Sequence, residues 1–232
     1  MLWYKGWLET RFRILFMLAY VLFPMALRIT TPHNTSPTPL EEQHQIAFLA
    51  FYWSFGSILL AGAGIKTQGS LRTTKVFHGS MYFTLTMPVS RFRLLAARAG
   101  LGMLETIAVL AATPFAIWVM FPATRMHLSI SDLLEYWGVI SVCVSLFYFL
   151  GVVFASVFDD ATQGWMSMLA VISLQGLFTN LPVPPSLNVF RAMGEASPLF
   201  THTFPWASMA VSLGVAAVLL CIAAWVVQTR EY

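Results

Sequence analysis

Six apolar stretches free of Asp, Glu, Lys and Arg divide this chain, and charged residues flank them: Ile14–Leu27, Gln43–Ile65, Thr106–Phe121 with an approach from near Ala99, Tyr136–Phe158, Thr162–Leu181 and Trp206–Val227. Five of them run for 16–23 residues, and a bilayer core of ~30 Å takes about 20 residues of helix. Membrane barrel strands alternate with period two over about ten residues. These stretches are apolar throughout, so helices are expected. The first is 14 residues long and contains Pro24. Snorkelling of Arg13 and Arg28 extends its reach. Only 10% of the chain is charged, against roughly 25% in a soluble domain, too little to cover a water-exposed surface. The 15% aromatic content excludes a disordered chain, and two cysteines exclude a disulfide scaffold. The expected class is an all-α polytopic membrane protein, one transmembrane domain over 1–232 with six transmembrane helices.

Charge placement sets the expected orientation. With six spans and a cytoplasmic N-terminus, ten of the thirteen Lys and Arg lie inside; only Arg28, Arg125 and Arg191 lie outside. Positive charge favours the cytoplasmic side, so both termini are expected there, in a multi-pass protein of the plasma (inner) membrane. The pI near 9.0 then reflects topology, and no nucleic acid is implied. Residues 1–13 mix Trp3, Trp7 and Phe12 with Lys5, Arg11 and Arg13, which predicts an interfacial helix rather than a signal peptide. Residues 182–205 hold five prolines and read as an external loop or a re-entrant hairpin.

Catalytic signatures are scarce. No P-loop, no His-Glu-x-x-His and no cysteine pair at ligand spacing occurs, so neither a cofactor nor a metal is expected in this chain. Cys143 and Cys221 fall within spans, and the five histidines are scattered. Asp159-Asp160 has no second acidic cluster and reads as a turn. Glu105 is the one acid clearly inside a span, which makes it the intramembrane charge candidate; hydration near the interface or pairing with a neighbouring helix is the plainer reading. Gly62, Gly64, Gly100 and Gly102 suit close helix approach. Phe48, Phe51, Tyr52, Trp53 and Phe55 crowd the second span, either lining a cargo path or facing lipid and neighbouring helices.

The inner segment Lys66–Arg98 is the most informative. It carries six of the ten inside charges and an apolar patch, Met81–Val89, before Ser90-Arg91-Phe92-Arg93. Pro88 interrupts the chain and Ser90 is a natural helix cap. Such a segment either anchors to anionic lipid or docks a cytoplasmic partner.

Here the chain resembles the membrane (permease) subunits of type-two ATP-binding-cassette exporters. Gly79-Ser80 followed by Leu85-Thr86-Met87-Pro88-Val89-Ser90-Arg91 and an aliphatic helix is similar to the loop after the second span in that family. So are the six-span layout, the N-terminal interfacial helix, Ala196-Ser197-Pro198-Leu199 before the last span and the charged C-terminal ending. Lys66-Thr67-Gln68-Gly69-Ser70 departs from it, lacking the acid often found there. The resemblance implies a partner ATPase subunit that binds ATP and Mg, and a second permease copy or homologous permease, making a homo- or heterodimer. It also implies that Met87, Pro88, Val89, Ser90, Arg91 and Arg93 form the coupling segment to the ATPase, and that the cargo is amphipathic, drug-like, lipidic or peptide. A non-transporting membrane anchor or assembly factor docking a cytoplasmic partner is the second reading.

Overall fold

The computed structural model describes residues 14–15, 17–23, 39–65, 90–121, 125–126, 128–158, 160–180 and 182–229. The expected interfacial helix 1–13, residues 66–89 of the inner segment and the C-terminal ending lie outside them. Among the described residues every regular element is helical and no strand occurs.

Residues 17–23, with 14 and 15, form α1. Then follow α2 (Pro39–Ile65), α3 (Arg91–Leu110), α4 (Ala112–Met120), α5 (Ile130–Val157) and α6 (Asp160–Asn180). A 3-10 turn at Pro185–Leu187 leads to the short α7 (Val189–Met193) and α8 (Pro198–Thr201), and α9 (Trp206–Thr229) closes the chain. Three helical stretches are long and apolar enough to cross a membrane: Leu95–Val119, Ile130–Val157 and Trp206–Thr229. The described residues are thus all-helical in their regular structure, with three helices compatible with a membrane.

α5 is the central helix, packed along both α2 and α9. Its sequence is apolar on every side, the pattern of a helix surrounded by others, and Tyr136, Val139, Ile140, Val144, Phe147 and Val152 are fully buried. It begins at a capping box. Ser129 Oγ accepts the Asp132 N–H at 3.2 Å, and the Ser129 N–H donates to Asp132 Oδ2 at 2.8 Å. The carboxylate also sits at the positive end of the helix dipole. The helix therefore starts six residues before the charge-free run at Tyr136, because the cap, rather than the end of the charges, sets its first turn. Gly151 brings α2 close: a Cβ there would lie 2.7 Å from the Ile58 carbonyl oxygen and from Ala61 Cβ.

α3 and α4 are two parts of one rod. Pro114 has no N–H to return to Leu110 and its ring crowds that turn. Just before it, the Ala111 N–H is shared between the Ile107 and Ala108 carbonyls at 3.2 Å each. Ala111 keeps right-handed helical angles, so the axis runs on. From α5, Trp137 Nε1 donates to the same Ile107 carbonyl at 3.1 Å.

Residues 182–205 turn inward. Val189, Ala192, Met193 and Leu199 are buried. The Tyr136 hydroxyl donates to the Met193 carbonyl at 3.0 Å, and the Ser208 hydroxyl donates to the Ser186 carbonyl at 2.6 Å. A Cβ on Gly194 would fall 2.8 Å from Ala47 Cα, so only glycine lets this segment lie against α2.

A second buried cluster gathers Ala61 near the end of α2, Leu95 and Ala99 near the start of α3, Val152 and Ala155 near the end of α5, and Ala223 and Val227 near the end of α9. These four termini share one end of the bundle. α9 is otherwise exposed along much of its length, with Leu213, Val218, Ile222 and Trp225 outward. Outward apolar side chains suit hydrocarbon, which is as apolar as they are.

Candidate functional site

The sequence places its candidates in the segment leading into α3 and on α3 itself, and the structure describes them from Ser90 onward. Ser90 stands in extended conformation (φ −60°, ψ 140°), and its Oγ accepts the Arg93 N–H at 3.3 Å. This satisfies one of the four N–H groups that a helix start leaves unpaired. The first turn holds no acid and carries Arg91 and Arg93. Cations at a helix N-terminus oppose the dipole by about 0.3–1 kcal/mol each, so this turn is poorly composed for its own stability. It is well composed to meet an anionic surface. Arg93 is exposed and Phe92 is 51% exposed, so a cation and an aromatic ring are presented together. Met87, Pro88 and Val89 lie outside the described residues, as does the side chain of Arg91.

Glu105 is buried at 7% exposure. Twelve residues separate it from Arg93, about 18 Å along a helix, so the structure does not bring the two candidates together. Near Glu105, α3 is crossed by α5. The Tyr148 hydroxyl donates to the Ala99 carbonyl at 2.9 Å and lies within electrostatic reach of Glu105. A Cβ on Gly102 would collide with that hydroxyl, so Gly102 is the close-approach glycine of this crossing.

The aromatic run of α2 divides by environment. Phe48 is 64% exposed, while Trp53 is buried. Tyr52 and Tyr20 clasp α2 to α1: each hydroxyl donates to the other's backbone carbonyl, at 2.9 and 3.0 Å, and the rings stack 3.9 Å apart. Beneath the clasp is a cavity of about 10 Å³ lined by Met17 and Tyr20 of α1, Trp53 and Ser57 of α2, and Thr106 of α3, among others. The sequence carries no sign of it, because its walls come from three helices and include the immediate neighbour of Glu105.

At the opposite end of α5, His202 Nδ1 approaches Asp132 Oδ1 at 3.8 Å. His202 ends α8 in the left-handed conformation (φ 49°). Nothing in the scattered histidines foretold that meeting, which depends on the inward turn of 182–205. Among the described residues no cluster of His, Cys, Asp and Glu is arranged to hold a metal ion. Cys143 is buried and Cys221 exposed. The chain matches no family model, no curated protein and no solved structure.

Proposed function

We propose that this chain is the membrane permease subunit of an ATP-driven exporter of the ATP-binding-cassette type, moving an amphipathic cargo with energy from a separate ATPase subunit. In this reading six helices span the plasma membrane: α1, α2, the α3–α4 rod, α5, α6 and α9. Both termini are cytoplasmic, and a second permease chain completes the pathway. The observation that carries the reading is the start of α3. The segment Leu85–Arg93 has the Pro-Val-Ser-Arg pattern of such subunits, and its serine caps a helix that continues directly into an apolar span.

Mechanically, a rod with a docked end is a lever. Arg91, Phe92 and Arg93 engage an acidic and apolar groove on the ATPase, and α3 carries the displacement inward. Tyr148 and Trp137 couple it to α5 through the Ala99 and Ile107 carbonyls. ATP-driven closure of the partner biases two membrane states only through contacts that differ between them, and the exposed first turn of α3 is where those contacts would change. The chain needs no nucleotide site of its own in this scheme.

The test is purification from the native membrane in mild detergent, with identification of co-purifying chains. A stoichiometric P-loop ATPase, active in the complex, supports the reading. Recovery of the chain alone, or with a partner lacking a P-loop, counts for an anchor instead. With the ATPase in hand, the double variant Pro88→Ala, Arg91→Ala is expected to keep the complex folded and lower cargo-stimulated ATP hydrolysis at least tenfold. Undiminished stimulation would remove the coupling role from this segment.

A further inference from the structure

We propose that two levels of tryptophan bound the outward surface of this bundle, about 28 Å apart, and that the occupant of the outward face of α9 between them is bilayer hydrocarbon. The inference rests on the membrane-spanning part of the proposed function and is independent of the exporter part. Among the described residues four tryptophans are exposed: Trp118, Trp165, Trp206 and Trp225, each between 41% and 71%. An indole joins a large apolar body to one polar N–H, so it settles where hydrocarbon meets headgroups. Trp206 opens α9 and Trp225 stands near its end, 19 residues on. That separation is about 28 Å along a helix, close to the ~30 Å of a bilayer core. Between them Leu213, Val215, Val218 and Ile222 are exposed, and no charged residue occurs.

The α3–α4 rod gives the same depth from different residues. Trp118 lies 19 residues after Ala99. Ala99 shares a buried cluster with Ala223, two residues before Trp225, so the two stretches begin at one height. A cation closes each end of the rod's stretch. Arg98 immediately precedes Ala99, and the Arg125 guanidinium carbon lies 5.1 Å from the Trp118 ring centroid. Glu105 is the one charged residue between Ala99 and Trp118, and it is buried away from the outward surface. The third helix agrees. α6 starts where α5 ends, beside the cluster that holds Ala155, and Trp165 is its sixth residue. The chain thus returns to within about one helical turn of the Ala155 height. One level runs through Trp165 and Trp225, the other through Trp118 and Trp206. Two matched heights on three helices follow the two planes of a bilayer, which a protein partner on one face has no reason to reproduce. The levels also place the candidates of α3. Glu105 lies about 9 Å inside the level at the clustered end, and Arg93 about 9 Å outside it, clear of hydrocarbon.

The experiment uses the full chain, on a Cys143→Ser, Cys221→Ser background, in vesicles of dioleoylphosphatidylcholine. A nitroxide is attached singly at Ala207→Cys, Ala210→Cys, Leu213→Cys, Val215→Cys, Val218→Cys or Ile222→Cys, exposed positions that leave every tryptophan in place. Oxygen concentrates in hydrocarbon and a neutral nickel chelate in water, so the ratio of their collision rates with the label reports depth. The ratio is expected to rise severalfold from Ala207→Cys, to peak at Val215→Cys and to fall again by Ile222→Cys. A peak displaced by four or more residues, about 6 Å, overturns the two levels and leaves the helix spanning. Low collision rates with both reagents along the face show protein in place of lipid, a second copy of this chain included, and overturn the proposal as well. A flat profile dominated by the nickel chelate removes the membrane-spanning reading itself. The unsubstituted chain gives a second measurement that needs no variant. Phosphatidylcholine brominated near the headgroup end of its acyl chains should quench the tryptophan fluorescence more than lipid brominated toward the chain ends, and the reverse order overturns the proposal.

Discussion

The contacts that fix this bundle are made by single atoms at a few crossings. At Gly151 the absent side chain decides how near α2 and α5 approach. An added methyl would fall 2.7 Å from the Ile58 carbonyl oxygen and 3.0 Å from Ile58 Cα. Backbone cannot swing aside as a long side chain does, so Gly151→Ala must part the helices. A loss of about 1–3 kcal/mol is expected, the usual cost of overpacking. Gly138, on the same helix, has nothing within 4 Å of its ideal Cβ. Gly138→Ala is expected to be neutral or to stabilise by up to about 1 kcal/mol through helix propensity. Reversible unfolding of both variants in mixed micelles of rising SDS fraction checks the pair, and equal effects would refute the crossing. Residue roles of this kind are barely legible in a sequence. Gly102 stands out as a small residue near a span end, yet nothing in its neighbours names Tyr148 as the group it accommodates. Gly151 is one more small residue in an apolar run until α2 is laid across it. Trp53 and Phe48 read alike as aromatics of one helix, and only the packing of α1 and α3 separates a buried donor from an outward ring.

At the scale of elements much more could be read in advance. The apolar runs from Gln43 onward each fall largely within a helix, because a long charge-free stretch of aliphatic and aromatic residues has no other way to satisfy its backbone in an apolar medium. Boundaries were less legible, since charges mark where a helix meets water and caps mark where it begins. Asp132 and Glu135 look like loop residues beside Tyr136, but Asp132 is the N3 member of a capping box and belongs to α5. The segment 182–205 looks like a loop or hairpin from its prolines; its short helices are held by the Tyr136 and Ser208 hydroxyls, which donate to the Met193 and Ser186 carbonyls, and by its own Asn188, which donates to the Phe178 carbonyl of α6. Ser90 was recognisable because a cap is local: serine after Pro-Val, before a helix-forming run. Its substitution separates two roles of the α3 start. Ser90→Ala removes the acceptor for the Arg93 N–H and is expected to cost about 1 kcal/mol of helix stability, seen as faster hydrogen exchange at residues 91–94. Ser90→Asp keeps a cap and adds a favourable charge at the dipole's positive end, so exchange should slow again. The same aspartate offsets Arg91 and Arg93. Affinity for an anionic partner, read as sedimentation with vesicles of anionic lipid or with the ATPase, should therefore fall in Ser90→Asp while the helix recovers. Recovery of both together would show that the cap alone matters and that the arginines do not meet the partner.

The arrangement of the whole molecule turns the charge pattern into a prediction about sides. Ala61, Leu95, Ala155 and Val227 belong to one buried cluster, so the ends of α2, α5 and α9 and the beginning of α3 lie together. The far end of the bundle holds the Asp132 cap, His202 and the inward-turned 182–205 segment. Arg91, Arg93 and Arg98 stand at the first end, while Glu195 and Glu135 stand toward the other. Positive charge resists transfer across the membrane during insertion, so the cluster end should face the cytoplasm. Single cysteines on a Cys143→Ser, Cys221→Ser background read this directly. Phe92→Cys and Gln228→Cys probe the first end, and Ile130→Cys and His202→Cys the second; all four positions are exposed. In intact cells, a membrane-impermeant maleimide is expected to label the second pair and to reach the first pair only after permeabilisation. The reverse pattern would invert the protein and place Arg93 where no cytoplasmic ATPase meets it. Labelling of Phe92→Cys and Gln228→Cys from opposite sides would break the shared end itself. Protection of both, with Ile130→Cys open, leaves α3 presenting its basic first turn to the compartment that holds ATP, the placement that an ATP-driven lever requires.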